Sequence, residues 1–113
     1  MNYKLDGTKV IPCDNLIEWG EWFEKADRQV ALTELEGVRV STIFLGIDHS
    51  FGNGKPILFE TMVFGKDKDG KCDYRDQECE RYTTRDEAIK GHNKMVSRFM
   101  EKKLKASQEK KRK

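Results

Sequence analysis

The sequence predicts an α+β domain: an antiparallel meander sheet of four to five strands with two helices packed on one face. Three observations carry this assignment. Residues 38–64, VRVSTIFLGIDHSFGNGKPILFETMVF, hold two apolar, β-branched and aromatic runs around a short loop rich in Gly, Asn, Ser and Lys, the pattern of a central hairpin. Residues 15–28 and the stretch after Thr84 carry their apolar residues at helical rather than alternating spacing. A chain of 113 residues supplies one core and not two. Residues 1–105 are read as one domain and residues 106–113, ASQEKKRK, as a basic, disordered tail.

The elements follow in order. Tyr3 to Leu5 and Val10 to Ile11 bracket Asp6-Gly7, a dipeptide suited to a tight turn, so a small hairpin or an edge strand is expected to open the chain. Pro12 cannot donate to a ladder and ends the pairing. Asp14 stands where an N-cap belongs, and Glu18 adds negative charge near the same positive helix end. Across residues 15–28, Leu16, Trp19, Gly20 and Phe23 share a stripe, with Trp22 displaced from its centre. Gly20 costs helix stability and is expected to permit close approach to the sheet.

Residues 30–35 alternate as a strand and meet Val38 across Glu36-Gly37, a short hairpin turn with Gly37 at positive φ. Val38, Val40, Thr42 and Phe44 form one face of the next strand. Residues 57–64 return antiparallel, apolar on both faces apart from Glu60 and Thr61, which marks a central strand. Residues 65–80, GKDKDGKCDYRDQECE, read as an exposed, mobile connection with a turn at Asp69-Gly70. A last strand is expected over residues 79–83. Thr84 and Glu87 then form a capping box. The helix they start buries Ala88, Ile89, His92, Met95, Val96 and Phe99, with Met100 and Leu104 at the far end of that side.

Charge narrows the classes of partner. Residues 98–113 contain eight basic and two acidic side chains, so the rest of the chain carries a net charge of −4 against an overall +2. A mildly acidic body argues against a nucleic-acid-binding domain and confines contact with nucleic acid to the basic tail. No apolar run reaches the roughly 20 residues that span a bilayer. The opening MNYKLDG lacks the basic-then-apolar order of a secretory signal, so a cytoplasmic protein is expected. Three cysteines, Cys13, Cys72 and Cys79, are too few for a disulfide scaffold. A meander also leaves an edge strand, through which a homodimer is one expectation.

Four residues are weighed for chemistry. Asp48 and His49 end the central strand, where a rigid scaffold commonly holds functional groups. Joined by Glu60 and His92, they would make a metal site or a His–carboxylate acid–base pair. Against this stand ordinary structural roles: an Asx-type turn for Asp48, stacking on Phe51 for His49, a cross-strand ion pair for Glu60, a place beside the core for His92. No HxH, HxxxH or CxxC spacing is present, so neither metal nor cofactor is expected.

Gly52-Asn53-Gly54-Lys55-Pro56 fails as a phosphate loop, because His49 stands at the first Gly, Pro56 at the Ser/Thr, and a strand follows instead of a helix. Asp67-Lys68-Asp69-Gly70 fails as a calcium loop, with Gly65 at the first ligand and Asp76 at the twelfth. Cys72 and Cys79 would serve as a redox pair or zinc ligands only if they met; two cytosolic thiols without a role is the simpler account.

One resemblance runs along the chain. Residues 41–49, STIFLGIDH, residues 58–65, LFETMVFG, and Tyr82-Thr83-Thr84 with Glu87-Ala88 and Gly91-His92 resemble a group of small uncharacterised proteins of tailed bacteriophages and prophages. Leu5-Asp6-Gly7, Pro12 and the helix with Trp19, Trp22 and Phe23 are similar too. The likeness extends to about His92 and departs in residues 66–78 and in the lysine-rich tail. It implies a setting and no reaction: an accessory protein made in the cytoplasm of an infected bacterium. Within that setting, the absence of a catalytic motif favours a non-structural binding or inhibitory module directed at a host protein, an antiviral defence component among the candidates. Trp22, Asp48, His49, Phe51, Asn53 and Lys55 are its expected contact residues. The alternative is a small hydrolase or nucleotide-handling protein using Asp48, His49, Glu60 and His92.

Overall fold

The computed structural model describes residues 1–52 and 54–111, except for the side chains of residues 73–77 and 103–111. A two-stranded hairpin, β1 (Tyr3–Asp6) and β2 (Lys9–Pro12), leads into helix α1 (Leu16–Lys25). Strands β3 (Gln29–Leu35), β4 (Val38–Phe44), β5 (Phe59–Lys66) and β6 (Cys72–Tyr82) then form an antiparallel meander in that spatial order, and helix α2 (Arg85–Lys111) closes the chain. The predicted α+β class and meander order are what the molecule has.

The sheet's alternation builds the core. Val40, Thr42 and Phe44 of β4 and Phe59, Thr61 and Val63 of β5 all turn toward α2 and are essentially inaccessible. Phe44, Leu58, Phe59, Tyr82 and Ala88 form one apolar cluster, against which Tyr3, Leu5, Val10 and Trp22 pack. Val40, Val63 and Met95 form a second, flanked by Val38, Val96 and Phe99. Between the two lies a polar belt. Thr42 and Thr61 are register partners on β4 and β5, and His92 of α2 sits over them, 2% exposed. The opposite face, bearing Leu32, Ile43, Met62 and Phe64, is covered by neither helix.

Several local expectations change. The N-cap of α1 is Asn15 and not Asp14; its carboxamide oxygen accepts from the backbone N–H groups of Ile17 and Glu18, both at 3.1 Å. The helix ends at Lys25 and not Arg28, because Ala26 turns extended and Arg28 lies over the Phe23 ring while donating to the Phe44 carbonyl. Leu16 falls off the buried stripe, being 70% exposed. A Cβ on Gly20 would meet nothing within 4 Å, so that glycine grants no close approach. Gly91 does: a Cβ there would lie 2.3 Å from Cζ of Tyr82. The Thr84 cap forms as expected, its hydroxyl accepting from Glu87 N–H at 3.2 Å and donating to the Glu87 carboxylate at 3.0 Å.

The largest correction concerns residues 65–80. Most of this charged segment is strand, and the turn is confined to residues 67–71, where Asp67 Oδ1 accepts from Asp69 and Lys71 N–H at 2.9 Å. An edge strand with little surface to bury need not show apolar alternation, so its composition imitates a loop. The backbone of α2 also continues through residues 106–111, which the sequence reading assigns to a tail. Lys, Ala, Gln and Glu are good helix formers and extend the last turns beyond the apolar positions. The side chain of Leu104, and residues 112–113 altogether, lie outside what is described.

Candidate binding surface at the 46–57 loop

The loop between β4 and β5 is held by one carboxylate. Asp48 Oδ1 accepts from the backbone N–H groups of Ser50 (2.8 Å) and Ile57 (2.9 Å), and Oδ2 accepts from the Ser50 hydroxyl (2.9 Å). These amide donors, Ser50 first, hold the Asp48 carboxyl below the usual carboxylate range. The neighbouring backbone closes the neck of the loop: His49 N–H donates to Ile57 O and Leu45 N–H to Leu58 O. Asp48 is thus engaged in the Asx-type turn, leaving its oxygens committed to the loop's own frame.

At the tip, Phe51 has φ +56° and is 89% exposed. An L-residue in this left-handed region costs about 1–2 kcal/mol, and a bulky side chain has no local hydrogen bond to offset it. Gly52 and Gly54, also at positive φ, take up the rest of the reversal. The frame therefore holds an aromatic ring out in water. His49 is half-buried and Lys55 exposed at this same loop; Asn53 lies outside the described residues.

Further exposed apolar side chains gather at this end. Asp48 N–H donates to Met1 O, Asn2 bridges to Ile47, and Cys13 N–H donates to Asn2 O, so the chain's first residues and the start of α1 lie beside the loop. Met1 (73%), Leu16 (70%), Ile17 (77%) and Ile47 (43%) are all exposed there. Sequence reasoning missed these four. The α1 stripe suggested burial for Leu16, and nothing in the pattern tells which way a short amphipathic helix rolls. Trp22, expected as an outward contact, is half-buried: its ring meets Phe44 edge-on at 6.0 Å and Phe23 at 6.3 Å.

The four residues weighed for chemistry are not brought together. Glu60 lies on the sheet face away from α2, 7% exposed, with Arg81 Nε at 2.8 Å from its Oε2. Its neighbour Cys79 is exposed as a residue, but partial desolvation of the sulfur first, and the Glu60 carboxylate second, push its thiol above the ordinary pKa and keep it protonated. His92 sits on the opposite face, under α2. Its Nε2 lies 2.8 Å from the Thr33 hydroxyl and its Nδ1 2.8 Å from the Thr42 hydroxyl, which is 2.5 Å from that of Thr61. Burial lowers the His92 pKa, so the ring is neutral, with one nitrogen donating and the other accepting. The sheet itself separates His92 from Glu60. Among the described residues, no three His, Cys, Asp or Glu side chains gather as a metal site.

Cys72 and Cys79 do not meet either. They stand opposite Lys66 and Met62, four residues apart on β5, which separates them by about 13 Å. A disulfide needs Cα atoms within about 7 Å. Among the described residues, no helix is long and apolar enough to cross a membrane. The chain matches no protein-family model, no curated protein and no solved structure.

Proposed function

We propose that this protein is a binding module that recognises another protein through the end built from the 46–57 loop, the chain's first residues and the start of α1. The observation that carries this reading is Phe51: an exposed aromatic ring, on strained backbone, at the tip of a loop locked by Asp48. Local strain persists where surrounding structure enforces it, and aromatic anchors dominate binding energy at interfaces. Met1, Leu16, Ile17 and Ile47 add exposed apolar surface at the same end of the molecule. In the phage setting implied by the resemblance, the partner is a host protein, and the module acts by occupying it. The hydrolase alternative has no comparable support, since Glu60 and His92 lie on opposite faces of the sheet and the Asp48 carboxylate is engaged by the loop's own Ser50 and Ile57.

The test compares the wild-type chain with Phe51→Asn in capture from bacterial lysate, followed by titration of the purified partner. Asn tolerates the left-handed conformation, so the fold is retained. Loss of the anchor is expected to weaken the complex at least about tenfold, while Lys90→Ala on exposed α2 leaves it unchanged. Equal binding by wild type and Phe51→Asn would refute the assignment of this surface.

A further inference from the structure

The two edges of the main sheet are built differently. On β6 the register is interrupted opposite Val63–Gly65, and the strand carries Asp73, Arg75, Asp76, Glu78, Glu80 and Arg81. Interruption and charge are the usual protections of an edge. Strand β3, QVALTEL, has neither proline nor lysine, and Glu34 is its sole charge. Its pairing with β4 shifts register between Gln29 and Ala31, as that of β6 does opposite Val63–Gly65, and is regular from Ala31 to Leu35, so the contrast between the edges lies in charge. At its centre Leu32 is 51% exposed on the uncovered face of the sheet.

The backbone of β3 has a defined outward pattern. Leu45 N–H donates to Leu58 O and Lys66 N–H to Gly37 O, so the odd-numbered residues of β4 turn their backbone groups to β5. The even-numbered ones turn to β3, where they meet Thr33 and Ala31. Leu32 and Glu34 therefore point their own N–H and C=O groups away from the sheet, where no described strand pairs with them.

From this we infer that β3 pairs with β3 of a second copy, antiparallel about a two-fold axis through Leu32, giving one continuous eight-stranded sheet. The register is chosen by chemistry. Centred on Leu32, the outward N–H and C=O groups of the two Leu32 residues satisfy each other, and the two isobutyl groups meet. Each Glu34 then lies opposite Val30, about 14 Å from its symmetry mate and beyond the Debye length of physiological salt. Centring on Glu34 would set like charges directly opposite, and centring on Thr33 would set Leu32 against Glu34. The edge is self-complementary in one register. This inference uses a different part of the molecule from the loop surface and stands apart from it.

The test is oligomeric state and register. At about 100 µM, a concentration that populates a dimer of micromolar Kd, wild type is expected at twice 13.2 kDa by light scattering. Leu32→Lys, at an exposed position, is expected to return it to 13.2 kDa with its melting temperature unchanged at concentrations where both are monomeric. In a Cys72→Ser, Cys79→Ser background, Leu32→Cys is expected to cross-link between copies under mild oxidation, its Cα separation of about 5.5 Å being right for a disulfide. Glu34→Cys is not. A 13.2 kDa wild type, a dimer insensitive to Leu32→Lys, or cross-linking through Glu34→Cys as fast as through Leu32→Cys would each overturn the inference.

Discussion

Replacing Gly91 by Ala reverses the sign that helix propensity alone assigns to it. In an exposed helix the change stabilises by about 1 kcal/mol, because alanine loses less backbone freedom on folding. At Gly91 the new Cβ would stand 2.1 Å from Oη, 2.3 Å from Cζ and 2.4 Å from Cε1 of Tyr82. Ordinary contact begins near 3.4 Å, so α2 and β6 would have to part by about 1 Å, or the ring would have to swing away. The ring is pinned. Tyr82 is 9% exposed among Phe59, Leu58 and Ala88, and its hydroxyl donates to the Glu80 carboxylate at 3.4 Å. Overpacking of this kind costs about 3 kcal/mol at the upper end of the usual range. Less the propensity gain, Gly91→Ala is expected to destabilise by about 2 kcal/mol and lower Tm by about 8 °C. The internal control is Gly20→Ala in α1, where a Cβ meets nothing within 4 Å and a gain of about 0.5–1 kcal/mol is expected. Urea denaturation monitored by circular dichroism measures both. A Gly91→Ala protein as stable as wild type, or more so, would refute the close helix–strand approach.

Two further expectations rest on the titrating groups. Burial depresses the folded-state pKa of His92, so the unfolded chain takes up a proton first as pH falls. Stability contributed by neutral His92 is complete above about pH 6.5, the ordinary histidine value, and is lost as pH falls toward the lower folded value. His92→Gln, whose amide can still bridge Thr33 and Thr42, should flatten this part of the stability–pH curve; identical slopes in both proteins between pH 7 and 5 would contradict the neutral belt. Asp48→Ala removes the acceptor for Ser50 and Ile57 N–H, so hydrogen exchange at those two amides should accelerate at least about tenfold while α2 amides keep their protection. Since the Asp48 carboxyl is held below its ordinary range, the same loosening should appear in wild type only as pH drops through that depressed value.

The sequence by itself determined the elements whose signals are local. The Thr84–Glu87 box, the Gly37 turn, the alternation along β4 and β5, and the apolar spacing of α2 each follow from backbone sterics and period, and each is present. Placement of His92 beside the core was legible for the same reason: it stands between Ala88 and Met95 on one helical stripe. Tertiary structure alone decided the rest. Which helical glycine touches the sheet depends on how α1 and α2 are rolled, and Gly20 and Gly91 look alike in one dimension. That β6 is a strand and not a loop depends on β5 offering it a partner, because an edge with few apolar positions has no period to read. The separation of Glu60 from His92 follows from β-strand parity, which sends Glu60 and Thr61 to opposite faces. Only the packed sheet shows that α2 covers the face of Thr61, and that the exposed Phe51 stands apart from both.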